Sequence, residues 1–229
     1  MTRYALYFAP QPDSLLWHLG SSAIGYDAHK AQDIAFPDHP IFKSEDARPI
    51  TAEPRKYGFH ATLKAPFTLQ NGTTADKLLA ATAEFARTQR AFHFPLMHVA
   101  TLENFIALVP KHLCVPLQHL AAETVRYFEP FRAPLTEGDR QRRLHSPLSA
   151  RQIQYMDQFG YPYIFEEFRF HMTLTGPLAE PRRSQWQSAL QDLFKALPQP
   201  LLCDSIAVFK QNSPAERFTL AGHFQFSGL

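Results

Sequence analysis

The chain has 229 residues, 45% hydrophobic and 13% aromatic, which is enough to bury a sizeable core and argues against a disordered segment. A formal charge of +2 with neutral histidines is too mild for bulk nucleic-acid binding, so any anion site must be local. Two widely separated cysteines, no apolar leader after Met1 and no bilayer-length apolar run predict a cytoplasmic protein with no disulfide framework and no membrane partner.

Tyr4, Leu6 and Phe8 alternate with Arg3, Ala5 and Tyr7, which predicts a first strand. Leu15, Leu16 and Leu19 predict a short helix. From about 25 to 54 the prolines Pro37, Pro40 and Pro49 interrupt any period, so this stretch reads mostly as loop. A strand follows over 59–67, then a helix with Leu78, Leu79, Thr82, Phe85 and Ala86 on one face. Two strands are predicted near 92–102 and 104–109, then a helix near 112–128 with Pro116 in its first turn. The Arg- and Pro-rich segment 130–149 carries short helical pieces. Ser149 caps a helix that runs to Phe159 and closes at Gly160. A strand over 168–175, a helix over 182–197 and strands over 201–210 and 217–226 complete the chain. The order strand, helix, strand, strand therefore occurs twice. We read one domain over 1–229, with a first half at about 55–128, a second at about 160–229 and an insertion at about 130–159.

The duplication is sharpest at its first strand. One copy reads Phe59-His60-Ala61-Thr62-Leu63-Lys64-Ala65-Pro66-Phe67 and the other Phe170-His171-Met172-Thr173-Leu174-Thr175-Gly176-Pro177-Leu178. In a strand, side chains alternate faces. Phe59, Ala61 and Leu63 then share one face, and His60, Thr62 and Lys64 the other. In the second copy Phe170, Met172 and Leu174 oppose His171, Thr173 and Thr175. If the halves pack about a pseudo-two-fold axis, two imidazoles and two hydroxyls meet in one cleft. That set suits phosphodiester chemistry. One histidine serves as base, the other as acid, and hydroxyls hold the non-bridging oxygens. No H-E-x-x-H or comparable ligand spacing is present, so no metal and no cofactor is expected.

These paired strands resemble the two-histidine phosphoesterase superfamily, which includes RNA 2′,3′-cyclic phosphodiesterases (the bacterial "2′-5′ RNA ligases") and plant cyclic phosphodiesterases. The resemblance spans nearly the whole chain. It implies an α+β fold: a bilobal domain with two antiparallel sheets lining a central cleft and helices outside. It also implies catalysis by His60 and His171, with phosphate bound by Thr62 and Thr173. The segment from Arg55 through Phe67, together with Gly160-Tyr161-Pro162-Tyr163, Phe168 to Gly176, Arg132-Ala133-Pro134-Leu135 and Arg142-Arg143, resembles a branch found with phosphonate-utilisation operons. That branch implies a small cyclic sugar phosphate, such as a ribose 1,2-cyclic phosphate.

Further residues have two readings each. Lys64 either contacts phosphate or reaches solvent at its strand end. Tyr57 and Tyr163 either stack on a sugar or base, or pack in the core. Arg140, Arg142 and Arg143 form either a solvated face or an arm over an anionic ligand, and Arg132 could reach the same ligand from its loop. Tyr7 shares a face with Arg3 and either lines the cleft or packs. The partner expected is a small phosphorylated substrate. RNA end processing and a non-catalytic phosphosugar binder are the alternatives, with the modest charge against RNA. The oligomeric state is left open.

Overall fold

A computed structural model describes residues 1–145 and 147–228. In chain order it contains β1 (Arg3–Phe8), α1 (Leu15–Ile24), β2 (Tyr26–Asp27), β3 (Gln32–Asp33), α2 (Ala47–Ile50), α3 (Ala52–Tyr57) and β4 (Ala61–Phe67). Next come α4 (Ala75–Thr88), β5 (Phe92–His93), β6 (Met97–Leu102), β7 (Phe105–Pro110) and α5 (Val115–Tyr127). Then follow α6 (Glu137–Leu144), α7 (Ala150–Phe159), β8 (Met172–Thr173), α8 (Arg182–Phe194), β9 (Leu202–Cys203), β10 (Ser205–Gln211) and β11 (Thr219–Gln225).

Local chemistry accounts for many of these ends. The Ser14, Thr74 and Thr136 hydroxyls accept from backbone N–H groups in the first turns of α1, α4 and α6. Ser149 and Gln152 form a reciprocal capping box at the start of α7, and Gly160 ends it in the left-handed region. Pro116 sits in the first turn of α5, where its missing N–H leaves no helical bond unmade. The same reason corrects the loop expected over 25–54. Pro49 and Pro54 lie in the first turns of α2 and α3, positions that tolerate proline, so both short helices form.

Seven strands form one antiparallel sheet in the order β11-β10-β1-β4-β8-β7-β6. The fold is α+β in a single domain, as expected. The two expected sheets are continuous, because β4 and β8 meet through one residue pair, Ala61 with Met172. β8 is short: the Ile106 carbonyl accepts from both Leu174 and Thr175, and the ladder slips there. The strand expected over 168–175 is therefore regular only at 172–173.

The helices pack on either side of this seam. α4 packs on β10 and β11, α8 packs on β6 and β7, and α5 packs on β4. The apolar faces of the two repeated strands are buried as their period predicts. Phe59, Ala61, Leu63, Phe170, Met172 and Leu174 all belong to the main core. Phe59 packs against α1, where a Cβ on Gly20 would sit 2.1 Å from its ring. Gly20→Ala must push Phe59 aside. It is expected to lower stability by about 1–3 kcal/mol, read as a lower urea midpoint at unchanged slope.

Candidate active site

Extending the Ala61–Met172 pairing by one residue each way sets His60 opposite Thr173 and Thr62 opposite His171. Side chains directly opposite stand about 5 Å apart at Cβ, and the diagonal His60–His171 spacing is about 7 Å. All four are half-buried, on the face away from Ala61 and Met172. The two copies of the motif thus lie side by side, with each histidine facing the other copy's threonine.

The two imidazoles are held alike. His60 Nδ1–H donates to the Gly58 carbonyl at 2.8 Å, and His171 Nδ1–H donates to the Arg169 carbonyl at 2.8 Å. Each carbonyl lies two residues before its histidine. This bond fixes the tautomer, so each Nε2 is the nitrogen available for proton transfer. Gly58 has φ +80, in the left-handed region, and a Cβ there would meet Ala28 Cβ at 2.6 Å. Glycine therefore permits the turn that aims its carbonyl at His60. Thr62 Oγ1 lies 3.3 Å from His60 Nε2.

The surroundings of the histidines differ. Tyr7 stacks on His60 with ring centroids 3.7 Å apart and planes at 24°. Burial, and secondarily the charge of His171, pull the His60 pKa down from 6.5 to about 4, against the bond to Gly58. The His171 pKa is also lowered by burial, with its bond to Arg169 opposing. The nearest aromatic ring to His171 is Phe105, with centroids 5.8 Å apart.

A cavity of about 260 Å³ opens over this face and is lined by His60, Thr173, Tyr57 and Phe105 among others. Thr62 and His171 are not among the residues of that wall. A second cavity of about 340 Å³ lies toward the far end of β4, and Tyr57 borders both. Tyr57 stacks on Phe218, with centroids 5.4 Å apart and planes at 21°.

Other sequence candidates fall elsewhere. Lys64 does not stay on the face of His60 and Thr62. Tyr7 pairs with Thr62 and Leu6 with Lys64, so Leu63 is a bulge residue and the alternation breaks. Lys64 is 4% exposed and lines the second cavity, with Nζ bonded to Glu129 Oε2 at 2.7 Å and to the Val125 carbonyl at 3.2 Å. Arg132 binds the other Glu129 oxygen, at 3.0 Å from Nε and 2.6 Å from Nη2, and also borders the second cavity. Tyr163 is 42% exposed and lines neither cavity, because the chain after Gly160 runs irregularly and turns it outward. Its neighbour Tyr161 lines the second cavity instead, as does Arg143, whose guanidinium lies 5.5 Å from the Tyr161 ring. Arg140 pairs with Asp157 at the surface. Thr175, by contrast, stays at the 260 Å³ cavity and is part of its wall, but its hydroxyl is committed: it is fully buried, accepting from the Ile106 N–H at 3.0 Å and donating to the Gly176 carbonyl at 2.9 Å.

Sequence reasoning missed Tyr161 and Lys56, and it left Arg3 and Tyr7 undecided. Tyr7 is wholly buried, so it packs beneath His60. Arg3 and Lys56 line the second cavity. The period-two face shared by Arg3 and Tyr7 was the one available indication.

Comparison with known proteins gives three findings. The model of a family described as a protein of unknown function (DUF1045) matches residues 62–219. A protein of Janthinobacterium sp. (strain Marseille) called ribose 1,5-bisphosphate phosphokinase PhnN is 36% identical over 233 residues, covering 100% of this chain and 51% of that protein. A protein of the same name from Laribacter hongkongensis (strain HLHK9) is 35% identical over 219 residues, covering 95% of this chain and 50% of that protein. The chain spans about half the length of these curated relatives.

Proposed function

The chain belongs to the family described as a protein of unknown function (DUF1045), and from that premise we propose that it is a two-histidine phosphodiesterase that opens a cyclic phosphate on a small sugar. The observation that carries this reading is the pairing of two His-x-Thr faces through Ala61 and Met172, with both Nδ1 atoms tied to carbonyls. A phosphorus atom over the centre of that face is reached by a base from one side and an acid from the other.

His60, with its pKa near 4, is neutral at pH 7 and is the base. Its Nε2 takes a proton from water as the oxygen attacks phosphorus. The opposite P–O bond breaks in line, and His171 Nε2–H protonates the leaving sugar oxygen. Water is consumed, and the cyclic diester becomes a phosphomonoester. Thr62 and Thr173 donate hydroxyl hydrogen bonds to the non-bridging oxygens, where charge grows in the transition state. The bound anion raises both histidine pKa values, which favours the protonated His171 this step needs.

The relatives' name supports a phosphorylated ribose as the sugar. The phosphokinase activity in that name we assign to the half of those proteins that this chain does not match. The sequence contains no G-x-x-x-x-G-K-[ST] loop to cradle nucleotide phosphates, and every strand pair described is antiparallel.

The test is turnover of ribose 1,2-cyclic phosphate and 2′,3′-cyclic nucleotides in the presence of chelator, followed across pH. Because kcat/KM reports the free protein, its acid limb should fall near pH 4, where His60 gains its proton, and its alkaline limb below 6.5, where His171 loses one. The kcat profile should lie to higher pH. Ligand binding without turnover of any cyclic phosphate would leave a phosphosugar binder instead.

A further inference from the structure

The 340 Å³ cavity sits beside the histidine cleft, and the chain leads from one to the other through β4. His60 borders the cleft, Thr62 follows, and Lys64 to Phe67 border the second space. Tyr57 belongs to both walls, so the two spaces adjoin and suit one small sugar with substituents at its two ends.

The cavity is cationic. Arg3, Lys56, Arg132, Arg142 and Arg143 all contribute to its wall. Arg132 shares the Glu129 carboxylate with Lys64, another residue of this wall, and Arg142 pairs with Asp139. Among the described residues, Arg3, Lys56 and Arg143 have no carboxylate within ion-pair distance. Burial is the largest influence on Arg143, pulling its pKa below the ordinary value. Tyr161 and Asp139 oppose that pull, and Arg142 and Arg3 add to it.

A second observation concerns residues of the same wall. The Tyr7 hydroxyl is completely buried and has no hydrogen-bond partner. The groups whose charge bears on it are Tyr57, Arg3 and Tyr161, and all three line this cavity. Like charges around a half-enclosed space repel one another, and each loses hydration. An anion with several acceptor oxygens removes both penalties. A phosphomonoester supplies three such oxygens, and arginine can bind it through two parallel N–H groups.

We propose that this cavity is a second phosphate site, and that the substrate is a small sugar bearing a terminal phosphomonoester as well as the cyclic diester opened at the histidines. The attachment of the two phosphates to one sugar rests on the phosphodiesterase reading; the affinity of the cavity for phosphate does not. The second phosphate undergoes no bond change. It anchors the sugar, so its binding energy is available to the reaction next door. The product carries two phosphomonoesters.

The experiment uses two probes, ribose 1,2-cyclic phosphate and the same compound with a 5-phosphate. The 5-phosphorylated probe should show a kcat/KM about ten- to a hundredfold higher. Arg143→Ala should collapse that ratio toward one, and Arg143→Lys should restore part of it. Equal values for the two probes, or a ratio unchanged by Arg143→Ala, overturns the proposal. Calorimetric titration of inorganic phosphate into His171→Ala and into His171→Ala/Arg143→Ala gives an independent reading. Binding should be present in the first and weakened at least about tenfold in the second. Equal binding in both overturns the site. Phosphate binding that follows Arg143 with no turnover of either probe removes the phosphodiesterase reading and keeps the anion site.

Discussion

His60→Ala and His171→Ala each lower turnover of a cyclic phosphate by about a hundred- to ten-thousand-fold, while the protein still melts cooperatively. The size follows from the loss of one proton transfer in each variant. Both rings lie on the half-buried face of the sheet, outside the main apolar core, so removing them opens no internal cavity. The stacking of Tyr7 on His60 is lost in the first variant, which gives a small decrease in stability that the second should not show. Initial rates with a saturating cyclic phosphate, beside circular-dichroism melts, measure both effects. The double variant should be little slower than the worse single one, because base and acid act in one step. Near-parental rates in either single variant would sink the assignment of that histidine.

Glu129→Gln should destabilise the fold by about 3 kcal/mol, without any change at the histidines. Glu129 sits between Lys64 and Arg132, and the Lys64 side chain is 4% exposed. Burial pulls the Lys64 pKa down, and the Glu129 carboxylate holds it up. With an amide in its place, the ammonium is buried beside another cation. The low end of the usual cost applies because Glu129 itself is a quarter exposed. Adding Lys64→Met to Glu129→Gln should recover much of the loss, since the more deeply buried of the two stranded charges is gone. Urea unfolding of the two variants and the parent decides it. A Glu129→Gln midpoint equal to the parent's would show that the ion pair contributes nothing.

The repeated faces were legible because strand period two is a local rule. Phe59 and Phe170 go inward, and His60 and His171 stay on the half-buried opposite face, with no help from the rest of the chain. The rule failed at Lys64, where the bulge at Leu63 belongs to the pairing with β1 and cannot be read from β4 alone. It also had nothing to say after Gly160, where the segment is irregular and Tyr161 and Tyr163 differ only in which way the backbone turns them. The helix caps at Ser149 and Gly160 were legible to the residue because their chemistry is short-range. The second cavity was not, since Arg3, Lys56 and Arg143 come from distant stretches that only the folded sheet gathers.

The central place of β1 has a consequence for synthesis. One edge of β1 pairs with β4, which is made soon afterwards, but the other pairs Arg3 with Gln211 and Tyr7 with Ala207. At ribosomal speeds of roughly 5–20 residues per second, that second edge waits on the order of 10–40 s for its neighbour. During that interval a strand whose residues from Tyr4 to Phe8 all end up buried has an open side. An unpaired apolar edge is a template for association between chains. The nascent chain is thus vulnerable along β1 until the β10–β11 hairpin has been made, and that hairpin is what protects it.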